Sequence, residues 1–204
     1  MSSYKKSYKR LFQTASRQQG FFTAKQAIAA GYGNNVHPFH VKAGNWIREM
    51  RGIYRLSNYP QSERPDLVLW SLWSCGHRDE PQGVFSHQTA LSIYELSDLN
   101  PSKIHMTVPP NFRRFKAIPK ALILHKGLVQ ESDVESMQGF RVTRPLRSML
   151  DLIAAKTVSD DFIEQAAREA YEKGYVNRSK VKEMRHFSAS AREKLLQFIE
   201  KEVQ

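Results

Sequence analysis

Apolar residues in the first sixty positions recur first at a helical period and then in alternation. Tyr8, Leu11, Phe12 and Ala15 share one helical face, which predicts an amphipathic helix over 4–18 with Lys and Arg on its other faces. Gly20 ends it, and Phe21 and Phe22 read as plugs for a core. Thr23 is placed to cap a short second helix over 24–30, with Ala27 and Ile28 facing inward. After the turn Gly31-Tyr32-Gly33, Asn34 or Asn35 caps a third helix running to Lys42. Pro38 falls in its first turn, where a missing N–H costs little. Val36, Phe39 and Val41 read as its packing residues. Gly44-Asn45 stops it. Then 46–49 and 53–56 alternate apolar and polar around Met50-Arg51-Gly52, the spacing of a β-hairpin. Trp46, with Ile53 or Tyr54, is expected to bury on the side away from the charges.

Three helices followed by a hairpin is the order of a winged helix-turn-helix. Beyond it, 58–65 (NYPQSERP) is polar and proline-containing and reads as a linker. A helix is expected over 66–75, a charged loop over 76–83, and a strand at Val84-Phe85, with Ser86 capping a helix through Tyr94. Strands are expected at 104–108, 121–125 and 140–143, and helices over 145–155, 160–173 and 191–202. There is no internal repeat. The expected fold class is α+β: a winged helix-turn-helix over 1–60 and a mixed α/β domain over 61–204.

Charge sharpens this division. The chain of 204 residues carries a net +11, and residues 1–60 hold ten bases against the single acid Glu49. Such asymmetry points to a polyanion, and a basic surface gains affinity by displacing counterions condensed on nucleic acid. In a helix-turn-helix the second helix of the pair meets the major groove. On this chain that helix offers Asn34, Asn35, His37, His40 and Lys42 to base edges or phosphates. Arg48, Arg51 and Arg55 on the hairpin are set to reach phosphates or a narrow minor groove. Lys5, Lys6, Lys9 and Arg10 add phosphate contacts that fix register rather than sequence.

Other chemistry is sparse. The lone Cys75 has no disulfide partner, which suits a reducing, cytoplasmic setting; beside His77 it falls short of a zinc ligand set. No apolar run approaches the ~20 residues of a membrane span, and the basic, amphipathic start is not a secretory signal. Ser86 and His87 are adjacent, yet neighbours at a helix start do not face each other, so Ser86 reads as a cap rather than a nucleophile. Asp151 reads as an ion-pair partner of Arg147, four residues earlier, or of Arg144 or a backbone donor. From 103 to 126 there are six bases and no acid. Arg113, Arg114, Lys116 and Lys120 there mark either a solvated hairpin or a second patch for DNA or an acidic partner. Acids at 131–135 and 160–172 form an opposing sector. No phosphate loop, GxSxG elbow or HExxH is present, so no catalytic residue, cofactor or metal is expected.

Several of these segments together resemble the AbiEi family, the antitoxins of AbiE-type (type IV) bacterial abortive-infection toxin–antitoxin systems. They are GFFTAKQAIAAGYG at 20–33, WIREMRGIYRLSNYP at 46–60 (with Gly52, Tyr54, Arg55 and Leu56), FSHQTALSIYEL at 85–96, IHMTVP at 104–109 and VTRPLRSMLDLIA at 142–154. Ser148 stands where the family's last motif has Thr, which keeps a hydroxyl. The resemblance ends near Tyr175. It implies a winged helix that binds inverted repeats of promoter DNA and represses its own operon. It also implies a C-terminal domain that neutralises, directly or indirectly, a nucleotidyltransferase-like toxin. The protein would act as a monomer or weak dimer, cooperative on DNA. A stand-alone regulator without a toxin is the rival binding module; a nucleic-acid-processing enzyme is the rival of another class.

Overall fold

The structure, a computed structural model, describes residues 3–60, 64–114 and 117–200. Among these are nine α-helices and two sheets, an α+β architecture. The chain divides into two compact units, Met1–Gly83 with Ser136–Arg141, and Val84–Glu135 with Val142–Gln204. The expected boundary at residue 60 therefore falls short. Helix α4 (Pro65–Trp73) buries Leu67, Val68 and Leu72 and belongs to the first unit. Of the expected linker, 61–63 lie outside the described residues.

In the first unit the order is α1 (Ser3–Ser16), β1 (Phe21–Thr23), α2 (Ala24–Ala30), a 3-10 turn (Asn34–Val36), α3 (His37–Lys42), β2 (Trp46–Met50) and β3 (Ile53–Leu56). The spacing predicts α2 and the hairpin where they are found. It does not predict β1, in which Phe21, Phe22 and Thr23 pair antiparallel with Arg55, Tyr54 and Ile53, giving a sheet of order β1-β3-β2. Gly20 allows the turn into β1: its φ is +87°, and a Cβ there would meet the Tyr59 ring at 2.5 Å. Thr23 closes a capping box. Gln26 N donates to its hydroxyl at 3.1 Å, and Thr23 N donates to Gln26 Oε1 at 2.9 Å. The Thr23 hydroxyl in turn donates to the Asp79 carboxylate at 2.8 Å, and Lys25 Nζ donates to His77 O at 3.1 Å. These bonds tie the loop after α4 to α2.

The core of this unit is Leu11, Ala15, Phe22, Ala27, Ala30, Tyr32, Trp46 and Leu56. Its centre is Trp46, edge-on to Phe22 at 4.9 Å and to Tyr32 at 5.1 Å. Ile28 is exposed rather than inward, because the seven-residue α2 buries only the narrow i, i+3 stripe of Ala27 and Ala30. Tyr8 and Phe12 of α1 are likewise exposed and pack on each other at 6.0 Å.

The second unit contains β4 (Val84–Phe85), α5 (His87–Ile93), β5 (Ile104–Val108), β6 (Leu122–Lys126), the start of β7 (Val134–Met137), the end of β8 (Phe140–Thr143), α6 (Pro145–Ala155), α7 (Asp160–Glu172), α8 (Arg178–Glu183) and α9 (Ala189–Glu200). The sheet order is β6-β5-β4-β8-β7. β5 and β6 run parallel, from Ile104 opposite Leu122 to Val108 opposite Lys126. Parallel neighbours need a crossover, so 103–126 is not a hairpin. α6 buries Leu146, Met149, Leu150, Leu152 and Ile153 against α5, α7 and α9. α7 starts with Asp160 and Asp161, which suit the positive end of its dipole, and Asp160 accepts from Lys194 of α9 at 2.6 Å. Among the described residues no helix is long and apolar enough to cross a membrane.

Candidate nucleic-acid interface

Val36 and Val41 pack against the core as their pattern predicts, but three other residues of α3 do not follow the prediction. His37 and His40 are 3% and 7% exposed, whereas Phe39 is 65% exposed. The expectation that the two histidines touch nucleic acid is overturned, as is the expectation that Phe39 packs. The reason is Trp46. His40 stacks on it at 4.6 Å with planes 19° apart, and His37 lies 5.3 Å from it. An imidazole packs on an aromatic surface as a small ring, provided its nitrogens find partners. His37 Nε2 is 3.4 Å from Tyr32 O, and His40 Nδ1 is 3.3 Å from Asn45 Nδ2. Burial, and then the neighbouring His37, holds His40 below the ordinary histidine pKa. This leaves Pro38, Phe39 and Lys42 exposed on α3, with Asn34 and Asn35 exposed on the 3-10 turn that precedes it.

The hairpin sorts its arginines into two kinds. Arg48 and Arg51 are exposed and have no ionic partner among the described residues. A bulge interrupts the register between Arg48 and Met50, and Ile47, Arg48 and Glu49 are exposed in succession. Arg55 is different: its Nε donates to Glu49 at 2.9 Å and its guanidinium lies 5.9 Å from the Phe21 ring. The one acid of the basic segment thus neutralises Arg55, which leaves Arg48 and Arg51 as the free charges of the hairpin. Gly52, at φ +81°, makes the turn between them and β3. On α1, Lys5, Lys6, Lys9 and Arg10 are all exposed. In the second unit Arg113 and Lys120 are exposed, Arg114 lies over the Phe112 ring at 5.8 Å, and Lys116 lies outside the described residues.

Two buried polar clusters of the second unit were not legible as such. In the first, His87 takes φ +54°, and its Nδ1 comes within 2.9 Å of the Ser86 hydroxyl. The neighbours that a regular helix start would hold apart therefore do meet. Ser86 makes no capping bond; it accepts from the Thr107 hydroxyl at 2.8 Å and has its own proton for His87 Nδ1. His125 stacks on His87 at 3.6 Å, and its Nε2 lies 3.0 Å from His105 Nδ1. Burial, with His125 and His105 nearby, pushes His87 down to about 3; burial and His125 bring His105 to about 4. Ser86 is fully buried, so its hydroxyl meets no solute. Among the described residues no group of three potential ligands is placed to hold a metal ion.

In the second cluster Arg147 donates to Asp151 at 2.9 Å, to Asp133 at 3.1 Å and to Leu128 O at 3.3 Å, and lies 4.9 Å from the Phe187 ring. The i, i+4 pair with Asp151 is the one the spacing predicts; Asp133 was not foreseen. Burial raises the Asp151 pKa, against the pull of the Arg147 bond. Ser148 bonds Thr143 Oγ1 at 2.7 Å and stands 3.0 Å from Arg144 O, which fastens the start of α6 to β8. The VTRPLRSMLDLIA segment is thus a strand-to-helix rivet. The acids at 131–135 are engaged too: Tyr94 and Arg144 both donate to Glu135, at 2.9 and 3.3 Å. Beside them opens a cleft of about 510 Å³ whose wall includes Arg144, Arg147, Tyr175, Lys180 and His186.

No family model matches the chain, and no curated protein matches it. Among solved structures it is similar to the crystal structure of the RV2827C protein from Mycobacterium tuberculosis, with a TM-score of 0.58 and 10% identity. The match covers 95% of this chain and 76% of that one. At that identity the likeness is one of fold.

Proposed function

We propose that the first unit is a winged helix that binds duplex DNA, and that the chain is a cytoplasmic repressor and antitoxin of the AbiEi kind. The observation that carries the DNA reading is the split of α3 and the hairpin into two faces. Their inner faces close on Trp46, and their outer faces present Asn35, Lys42, Arg48 and Arg51 without ionic partners among the described residues. Lysines and arginines held in this way exchange condensed counterions for phosphate contacts, and a helix with a polar outer face fits the major groove. The exposed bases of α1 add to the same attraction. The toxin-neutralising half of the proposal is supported by the resemblance of the 85–96, 104–109 and 142–154 segments alone.

The test is fluorescence anisotropy of the full chain with a labelled duplex from upstream of its own gene. With six phosphate contacts, raising salt from about 50 to about 200 mM should lower affinity by about a thousandfold. Absence of binding at low salt overturns the proposal. Co-expression with the adjacent gene product, scored by growth, tests the antitoxin half; a stand-alone regulator would bind DNA and rescue nothing.

A further inference from the structure

Phe39 is the most exposed aromatic side chain of the first unit among the described residues, at 65%, and it sits in the middle of the outer face of α3. Pro38 and Lys42 are exposed on the same helix, and Asn35 on the 3-10 turn before it. The ring meets the buried His40 edge-on at 5.7 Å, with planes 80° apart, and His40 is in turn stacked on Trp46. An apolar ring is therefore held out to solvent on a strongly basic unit. The major groove of B-DNA offers one apolar group to such a side chain, the C5-methyl of thymine. A charged or amide side chain at this position would instead address base edges or phosphates.

We propose that Phe39 is a specificity residue that reads thymine, its ring covering a thymine methyl when α3 lies in the major groove. This rests on the DNA-binding reading above. Asn35 and Lys42 flank the ring and supply the hydrogen-bonding and phosphate contacts that hold the helix in place. The contribution of Phe39 is apolar burial, so it is insensitive to salt, unlike that of the basic residues.

The experiment uses the full chain and duplexes that it selects from a random-sequence pool. Each thymine of a selected site is replaced singly by deoxyuridine, which removes the methyl and leaves every hydrogen-bonding group in place. At one or more positions the wild-type affinity should fall about fourfold, the value of one buried methyl. Phe39→Ala should bind the thymine and uracil forms of those sites equally, and Phe39→Leu should keep the preference. Uracil tolerated at every position, or a thymine preference retained by Phe39→Ala, overturns the inference while leaving DNA binding intact. Failure to select any duplex overturns both. Because Phe39 is exposed, its variants should melt with the wild type; should Phe39→Ala melt early, Phe39→Ser in the same assay carries the comparison.

Discussion

Arg48 and Arg51 of the first unit stand in solvent, whereas Arg147 of the second is enclosed by Asp133, Asp151, Leu128 O and the Phe187 ring. The first unit keeps its excess charge outside an aromatic core. The second takes charge inside and uses it to join the start of α6 to the segment before β7. Exposed, unpartnered bases add nothing to the fold and remain available to a polyanion; enclosed ones are committed to the fold. A count of bases along the chain is thus informative only after each base has been assigned to one of these two kinds.

The sharpest way to break this comparison is Arg147→Ala. It takes the guanidinium from two buried carboxylates, leaving Asp133 only His186 Nε2 at 3.3 Å, and removing one partner of such a cluster costs about 3–5 kcal/mol. Chemical denaturation of the variant should show that loss. A midpoint near that of the wild type would mean that the cluster is as dispensable as a surface pair.

Acid should act next, through the histidine cluster of the second unit. His87 and His105 are held neutral, with pKa values near 3 and 4 against an ordinary 6.5. Between those values the unfolded chain binds protons that the folded chain refuses. Stability is therefore fully present above about pH 6.5 and drains as pH falls, by up to about 1.4 kcal/mol per pH unit for each histidine. Circular dichroism melts at pH 7 and pH 5 should show the wild type losing stability more steeply than a His87→Gln variant. Equal losses in the two proteins would remove the histidine cluster as the cause.

The sequence displays some of this and conceals the rest for physical reasons. Helices 24–30 and 145–155 and the hairpin are legible because each has a capping or punctuating residue at its ends: Thr23 and Gly31, Pro145, Gly52. β1 is concealed because its three residues, the last of them the N-cap Thr23, carry no alternation. α8 is concealed because its six residues are polar apart from Val181. The exchange of His37 and His40 for Phe39 on the inner side of α3 has one cause: histidine counts as polar in a sequence pattern, yet here Trp46 offers it an aromatic wall. The Ser86–His87 contact depends on a left-handed His87 backbone, which no local pattern announces. The Arg147–Asp151 pair is local and was legible; Asp133, fourteen residues away on another element, was not.

The finest distinction lies within the hairpin itself. Arg48→Ala and Arg51→Ala remove exposed charges with no ionic partner among the described residues and should leave stability within about 0.5 kcal/mol of the wild type. Arg55→Ala breaks a half-exposed pair with Glu49 and should cost about 0–1 kcal/mol. The order reverses on DNA. If Arg48 and Arg51 each meet a phosphate, each alanine lowers the slope of log affinity against log salt by about 0.9. Arg55→Ala frees Glu49, so it should weaken affinity by adding an acid to the surface, and a double Glu49→Gln, Arg55→Ala variant should recover most of that loss. Titrations at several salt concentrations separate the two behaviours. Equal slopes for Arg48→Ala, Arg51→Ala and the wild type would show that the free arginines of the hairpin do not touch the polyanion, and would leave α3 and α1 to carry the electrostatic attraction.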